Sequence, residues 1–197
     1  MAQTVTSFPT FLDEHSTAVA QKLLGCHLVR DLGDKQLRVK IVETESYDQL
    51  DAASHSFNGQ TTRTDVMFGE SGHLYVYFTY GMHFCCNVVT GAVGDGQAVL
   101  IRAVEPIEGV NEMERRRGIS GPQVTNGPAK LCQALDIGSS LNGHNLRYAP
   151  LRLEVGSMSL TKDIVKTPRI GISKAKEDLR RFYIKDNPYV SGRIMKS

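Results

Sequence analysis

Two glutamates stand two positions apart at the end of an apolar strand pattern, an arrangement that can carry acid–base chemistry. Every second residue from 37 to 47 shares one face of the predicted strand, and that face runs Leu, Val, Ile, Glu, Glu, Tyr. A carboxylate at the inner end of such a strand must pair with a cation or acquire a raised pKa, and both conditions suit a general base. We interpret Glu45 as the candidate base. The alternative for either Glu43 or Glu45 is a structural salt bridge with Arg102.

Three ring-bearing side chains accompany these carboxylates. Tyr47 ends the strand, His55 follows shortly after it, and Tyr77 lies in the next β-rich run. Together they supply flat faces and hydrogen-bonding edges, which suit a pocket for a planar heterocycle. Each residue alone is also typical of an ordinary half-buried position, so the pocket is a hypothesis about the group.

The run of residues 73–79 predicts the first strand of a β-hairpin with large side chains at its tip. Alternation places Phe78 with two aliphatic residues on a core-facing side. Gly81 permits the positive φ of a turn, and a second β-rich run follows at once. Tyr80 and Met82 are therefore predicted to project from the tip. The alternatives are that they fold back onto the core or form a dimer contact.

The elements that must position these residues are a mixture of helices and strands. Helices are predicted at Ser16–Leu24, Glu108–Arg117 and Pro128–Leu135. Strands outside the hairpin are predicted at Cys26–Arg30, Leu37–Tyr47, Gln97–Ala103, Leu151–Val155, Ile170–Ile172 and Arg181–Ile184. We expect an α+β fold with a single domain over residues 1–197. It consists of a curved, mostly antiparallel β-sheet with surrounding helices and a protruding β-hairpin.

Length and composition limit the class of protein. A chain of 197 residues can build one well-buried domain, and no low-complexity linker suggests a second. The sequence lacks a signal-peptide pattern and any run near the ~18 apolar residues that span a bilayer, so we expect an intracellular protein without membrane contact. The four cysteines lack zinc-finger spacing. We expect buried, reduced thiols and neither a metal nor another cofactor.

The net charge of +2 is unevenly distributed along the chain. Residues 1–100 hold 6 Lys and Arg against 11 Asp and Glu, whereas residues 101–197 hold 17 against 10. The basic half is able to line a surface for a polyanion such as nucleic acid, although most solvated basic faces bind nothing in particular. The basic residues considered for that surface are Arg115, Arg116, Arg117, Arg147, Arg152, Lys162, Lys166, Arg169, Lys174, Lys176, Arg180, Arg181 and Lys185.

Taken together, these motifs resemble the alkyladenine (3-methyladenine) DNA glycosylase family, in a bacterial-type member. The resemblance covers roughly Leu23 to Val190 in consistent order. It is carried by Ile41-Val-Glu-Thr-Glu-Ser-Tyr47, Ala53-Ser-His55, Met67-Phe68, Gly72-His-Leu-Tyr-Val-Tyr-Phe-Thr-Tyr-Gly-Met82, Asn87, Val99-Leu-Ile-Arg-Ala103, Glu105-Pro106, Gly127-Pro-Ala-Lys-Leu-Cys-Gln-Ala-Leu135, Arg181-Phe-Tyr183 and Asn187-Pro188.

The resemblance implies a base excision repair enzyme that acts on double-stranded DNA containing damaged purines. Such an enzyme flips the damaged nucleotide out of the duplex and hydrolyses its N-glycosidic bond, leaving an abasic site. The candidate lesions are 3-methyladenine, 7-methylguanine, hypoxanthine and ethenoadenine. The resemblance further implies a monofunctional enzyme, a monomer without an obligate protein partner or cofactor, located at the nucleoid in the cytoplasm.

Individual roles follow from the same resemblance. Glu45 matches the general base that activates a water, and Arg102 matches the arginine that orients this water. Tyr47, His55 and Tyr77 match the aromatic clamp around the extruded base.

The remaining matches concern base selection and the DNA backbone. Asn87 resembles the asparagine that disfavours the exocyclic amino group of normal guanine, and the backbone near Ala53 helps to read the base. Tyr80 matches the wedge that enters the duplex, with Met82 beside it. Arg63 and Lys130 are expected to contact DNA. For Lys130 and the helix start at 127–128, simple helix capping is the alternative.

Two other functional classes are weighed against this one. A non-catalytic nucleic-acid-binding module explains the basic half and the aromatic tip, but not carboxylates leading into Tyr47 and His55. A sugar glycosidase uses paired carboxylates, and Glu43 and Glu45 are roughly 7 Å apart on one strand face. No other residue marks a carbohydrate site.

Overall fold

A long central strand, β2 (Lys35–Tyr47), organises the fold and carries the two glutamates into the interior. The computed structural model describes residues 7–79, 81–156 and 163–192. The remaining strands are β1 (His27–Leu32), β3 (Leu74–Thr79), β4 (His83–Thr90), β5 (Gln97–Glu108), β6 (Leu151–Glu154), β7 (Ile164–Thr167) and β8 (Arg181–Ile184). All eight belong to one curled sheet with antiparallel pairing.

The neighbours of β2 divide its length into two parts. On one edge β5 pairs with it from Arg38 to Tyr47. On the other edge β1 reaches only as far as Lys40, and β8 then pairs with the stretch Glu43–Glu45. The inner end of β2 is therefore enclosed by β5 and β8, and both of these strands bring arginines beside the glutamates.

Three α-helices lie around the sheet in the described residues: α1 (Ser16–Lys22), α2 (Val110–Arg117) and α3 (Pro128–Ala134). Their apolar residues join those of the sheet in one core, for example Val19 of α1, Ile41 of β2 and Leu131 of α3. All four cysteines are buried free thiols, as expected. The predicted α+β class, with its curved antiparallel sheet, is confirmed.

The predicted strand at Ile170–Ile172 is wrong, because this segment is an irregular loop. Strand β7 ends just before Pro168, which cannot donate to a sheet ladder. Gly171 has a φ of 76°, outside the extended region. The N–H of Ile170 donates to a side-chain carboxylate instead of a neighbouring strand.

The predicted hairpin β3–β4 is present, with Thr79 opposite His83, but Phe78 is not a core residue. Its side chain is 53% exposed, and its ring centroid lies 5.0 Å from that of Phe84, the residue opposite it in β4. The alternation is real, but the hairpin extends beyond the core at this position, so an apolar side chain meets solvent there.

The helices of the described residues are too short or too polar to cross a membrane.

Two phenylalanines provide a test of where the core ends. Phe182 in β8 is fully buried, so Phe182→Ala should lower the free energy of unfolding by about 3–5 kcal/mol, through lost burial and a cavity. Phe78→Ala, the matched control on the exposed hairpin, should cost about 1 kcal/mol or less. Urea unfolding followed by circular dichroism measures both. Equal losses would contradict this placement of the core.

Candidate active site

A cavity of about 480 Å³ lies over the inner end of β2, within the typical ligand-site range of about 300–1,000 Å³. Strands β2 to β5 and two irregular segments, 52–55 and 170–174, form its walls. The lining residues are Glu45, Tyr47, Ala52, Ala53, Ser54, His55, Arg63, Met67, Tyr75, Tyr77, Thr79, Cys85, Asn87, Leu100, Arg102, Pro128, Ile170, Gly171, Ile172, Ser173 and Lys174.

Glu45 is the one carboxylate among the described residues that line this cavity. Its side chain has no solvent-exposed surface, and protein groups approach both oxygens. Oε1 accepts the N–H of Ile170 at 2.9 Å and lies 3.4 Å from Nη1 of Arg102. Oε2 accepts the hydroxyl proton of Tyr47 at 2.8 Å. The carboxylate is therefore held in a fixed orientation by two hydrogen bonds and the ion pair with Arg102.

Glu43 is also fully buried but does not line the cavity. Arg181 donates to its Oε1 from Nε at 2.6 Å, and Ser191 donates from its backbone N–H to Oε2 at 2.5 Å. Arg102 lies 3.2 Å from Oε1 through its own Nε. The salt-bridge interpretation therefore describes Glu43, with Arg181 as its main partner, whereas Arg102 connects both glutamates.

The predicted ring residues gather on one wall, together with a fourth that the sequence did not single out as a site residue. The rings of His55 and Tyr77 meet edge to face with centroids 4.6 Å apart. Tyr75 stacks on Tyr77 at 5.7 Å, and its hydroxyl lies 3.0 Å from Nδ1 of His55. Tyr75 shares a strand face with Tyr77, and this alternation is the sequence pattern that could have predicted its place in the site.

The electrostatics of this wall favour neutral groups. Burial, followed by the charge of Glu45, raises the pKa of Tyr47 far above its ordinary value, and burial raises that of Tyr77. Partial burial of the His55 ring, with the nearby Arg63 charge as a second cause, lowers its pKa. Burial raises the pKa of the Cys85 thiol to about 11. At neutral pH these four side chains are therefore uncharged.

Asn87 and Ala53 reach the cavity as predicted. The amide Nδ2 of Asn87 donates to the backbone carbonyl of Tyr75 at 3.1 Å, which fixes the orientation of the side chain in the wall. The N–H of Ala53 donates to Oδ1 of Asp51 at 2.9 Å. Each residue is therefore positioned by a hydrogen bond between a side chain and the backbone.

The predicted DNA-contacting residues occupy different surroundings. Arg63 lines the cavity, with its guanidinium 5.9 Å from the centre of the Tyr77 ring. Lys130 does not line it and donates to Oδ1 of Asn126 at 2.7 Å, so the capping alternative remains open. Met82 is 70% exposed at the hairpin tip, and Tyr80 lies outside the described residues.

Two residues near the site were not predicted from the sequence to belong to it. Arg169 and Asp51 form a fully buried ion pair, and the guanidinium carbon of Arg169 lies 4.7 Å from the centre of the Tyr47 ring. Burial alone would raise the pKa of Asp51, but the hydrogen bond and charge of Arg169, with the Ala53 N–H, lower it overall. More than a hundred residues separate the partners, so no local pattern indicates the pair.

Several basic residues of the C-terminal half form ion pairs with acidic residues of the protein. Arg169 and Arg181, both considered for a polyanion surface, are buried and paired with acidic residues. Arg115 and Arg116 bond to Glu112 on their own helix. Arg169 and Arg181 therefore cannot contribute to a polyanion surface, whereas the Arg115 side chain remains 68% exposed.

Within the described residues, no three His, Cys, Asp or Glu side chains lie close enough together to hold a metal ion.

Comparison with known proteins assigns this arrangement to a family. Residues 10–188 match the family model described as methylpurine-DNA glycosylase. A protein of Carboxydothermus hydrogenoformans is 51% identical over 175 residues, 88% of this chain and 92% of the relative. One from Methanoculleus marisnigri is 46% identical over 187 residues, 93% of this chain and 97% of the relative. Both are named "Putative 3-methyladenine DNA glycosylase".

The lowered pKa of His55 can be measured directly. We expect its titration midpoint to lie below 6.5, and Arg63→Gln to move it upward without reaching that value, because burial is the larger cause. Side-chain NMR of histidine-labelled protein, with the signal assigned from His55→Gln, measures both midpoints. A wild-type midpoint at or above 6.5 would sink the interpretation.

Proposed function

The chain belongs to the methylpurine-DNA glycosylase family, and we propose that it removes alkylated or deaminated purines from double-stranded DNA by hydrolysing the N-glycosidic bond. The proposed substrates are 3-methyladenine, 7-methylguanine, hypoxanthine and ethenoadenine, and the product is an abasic site. The observation that carries this proposal is the single carboxylate Glu45, which lies in a cavity walled by aromatic side chains.

A cavity of this kind requires the base to leave the duplex. The glycosidic bond of a stacked nucleotide is out of reach of an enzyme, so the nucleotide must rotate into the site at a cost of a few kcal/mol, roughly. The rings of Tyr47 and Tyr77 supply flat surfaces that replace the lost stacking. An alkylated purine that carries positive charge gains further attraction from such faces.

Glu45 supplies the chemistry in this proposal. An ionised carboxylate has about four acceptor positions. Ile170 occupies one position on Oε1, which also lies 3.4 Å from Nη1 of Arg102, and Tyr47 occupies one position on Oε2. The remaining position on Oε2 accepts the proton of a water that attacks C1′.

The same carboxylate stabilises the transition state. Departure of the base leaves an oxocarbenium-like sugar, and a buried negative charge nearby favours it. Arg102 orients the water together with Glu45. The scheme uses a carboxylate and water rather than an amine nucleophile, so the enzyme is monofunctional and leaves the DNA strand intact.

Selection of the base follows from groups that point at its edge. Asn87 excludes the exocyclic amino group of normal guanine, and the backbone near Ala53 contributes further contacts. His55, uncharged at neutral pH, offers one hydrogen bond to the sugar or phosphate. Arg63 at the cavity and Lys130 on α3 hold DNA phosphates through charge, which adds affinity without sequence preference.

The hairpin tip fills the gap left by the flipped nucleotide. Tyr80 enters the duplex as the wedge, in keeping with the sequence resemblance, and the exposed Met82 supports it. An inserted apolar or aromatic side chain offsets part of the unstacking cost.

The two alternative classes fit less well. A sugar glycosidase places two carboxylates on either side of the scissile bond, whereas Glu43 is occupied by Arg181 and Ser191 outside the cavity. A non-catalytic binding module does not explain why a carboxylate is buried and held by two hydrogen bonds and an ion pair, since burying such a group is costly.

Replacing the proposed base tests the reaction. Glu45→Gln should reduce the single-turnover release of 3-methyladenine from methylated DNA by about 10²- to 10⁴-fold, because a general base is lost. DNA affinity should remain unchanged, measured by fluorescence anisotropy. Chromatography of the released bases gives the rate.

The matched control is Glu154→Gln, which alters another buried, ion-paired glutamate that lies outside the cavity. This variant should retain the wild-type rate. The wild-type product should be an intact strand that breaks only after alkali treatment. Full activity in Glu45→Gln, or no base release by the wild type, would refute the proposal.

Removing the wedge tests the role of the hairpin. Tyr80→Ala should lower the equilibrium constant for flipping at least about tenfold, because an unstacking cost of a few kcal/mol is no longer offset. A fluorescent base analogue beside the lesion reports flipping at saturating protein. Tyr148→Ala removes an exposed tyrosine elsewhere and should leave the signal unchanged. Unaltered flipping in Tyr80→Ala would exclude the wedge.

A further inference from the structure

We propose that the buried pair of Arg169 and Asp51, here called the Arg169–Asp51 clasp, is a positioning device that holds Glu45 and Tyr47 in their working geometry. This inference rests on the proposed function, in which Glu45 is the base. Neither clasp residue lines the cavity. They therefore act through the residues that they hold rather than by touching DNA.

The clasp joins three segments of the chain. Nη2 of Arg169 donates to Oδ1 of Asp51 at 3.0 Å, and Nη1 donates to Oδ2. Nη1 also donates to the backbone carbonyl of Ser46 at 3.1 Å, which lies between Glu45 and Tyr47 in β2. The planar fork of arginine suits this two-point grip on a carboxylate. The loop after β7 is thus fastened both to β2 and to the segment after it.

Each attachment continues directly into a contact with the site. Ile170 follows Arg169, and its N–H is the 2.9 Å donor to Oε1 of Glu45. Because the intervening peptide is planar, the position of Arg169 limits where this N–H points. The guanidinium also lies against the Tyr47 ring, and the Tyr47 hydroxyl is the donor to Oε2. Both hydrogen bonds to Glu45 therefore depend on the clasp.

The opposite end of the clasp supports the base-binding wall. Oδ1 of Asp51 accepts the N–H of Ala53 as well as the Arg169 proton. Ala53 and the nearby His55 both line the cavity. A single buried carboxylate therefore links the catalytic side of the cavity to its base-binding side.

The energetics of the pair favour positioning over stability. Both side chains are 0% exposed, and a buried ion pair generally stabilises a fold no better than apolar residues of similar size. Within the described residues, Nε of Arg169 is buried without a hydrogen-bond partner, which adds to the cost. Such an arrangement beside a reactive carboxylate indicates a role in orientation, because well-held groups are what catalysis requires.

The hydrogen bond from the Ile170 N–H to Glu45 provides a readout that a merely structural pair would not move. A buried backbone amide exchanges its hydrogen with solvent slowly while it is hydrogen-bonded, and faster once that bond is lost. Replacing Arg169 and Asp51 together removes one positive and one negative charge, so the net charge of the protein stays the same.

The test compares wild type with Arg169→Met/Asp51→Asn, in which asparagine keeps an acceptor for Ala53, and with Arg169→Lys, which keeps the charge but loses the fork. Hydrogen exchange of the Ile170 amide, followed by NMR, reports on its bond to Glu45. In both variants we expect this exchange to be about tenfold faster than in wild type. Single-turnover base release should fall about 10- to 100-fold. DNA affinity should change less than about twofold.

The matched control is Arg38→Met/Glu154→Leu, which removes an ion pair between β2 and β6, about 23 Å along the strand from Glu45. It should leave the exchange rate of the Ile170 amide and the rate of base release unchanged. Circular dichroism and urea unfolding establish that each variant is folded. If the double variant does not fold, the Ile170 exchange rates of Arg169→Lys and Asp51→Asn decide the question in the same way.

Three outcomes would overturn the clasp: folded variants with unchanged exchange of the Ile170 amide, folded variants with an unchanged rate of base release, or wild-type behaviour in Arg169→Lys. The last would show that charge, not geometry, is what matters. The exchange measurement does not need activity. If wild type released no base, the proposed function would fail, and the Ile170 exchange rate would still support or refute the clasp.

Discussion

The fold depends on the neutralisation of two carboxylates that β2 carries into the interior. Glu43 and Glu45 have no exposed surface, and an unpaired buried carboxylate is strongly destabilising. The curled sheet meets this demand by exchanging partners along β2. Strand β1 leaves after Lys40, and β8 pairs in its place opposite the glutamates, bringing Arg181 to Glu43. Strand β5 contributes Arg102 from the other edge. The strand order of the sheet therefore determines which arginines pair with the two glutamates.

This pairing gives two chemically identical residues different roles. The Glu43 oxygens are occupied by Arg181 and Ser191, so this carboxylate ties the end of the chain to the sheet. Glu45 faces the cavity, and one of its donors is a backbone N–H from the irregular loop at Ile170. Strands thus provide the rigid framework, while a loop completes the reactive group. The hydrogen bonds that orient Glu45 come from segments far apart in sequence.

The parts of the site that local spacing encodes were predictable from the sequence. Period-two alternation indicated the strand that ends at Glu45 and Tyr47, and a turn glycine indicated the hairpin. The exposure of Phe78 was not predictable, because alternation shows that a face is apolar but not where the core beneath it ends. The positions of Asp51 and Arg169 were equally inaccessible, since an ion pair across more than a hundred residues leaves no periodic signal. The residue roles taken from family resemblance stay predictions.

The charges around the cavity bear on how the proposed reaction distinguishes damaged bases. Among the described lining residues, Glu45 is opposed by Arg63, Arg102 and Lys174, so the wall carries more positive than negative charge while His55 is neutral. In the proposed reaction, a cationic purine is therefore attracted by the ring faces and the nearby carboxylate rather than by the total charge of the wall. Neutral purines can occupy the same space. The proposed discrimination in favour of alkylated bases then arises mainly in the bond-breaking step, where a charged purine departs more readily. Only interactions that differ between ground and transition state change the rate of that step.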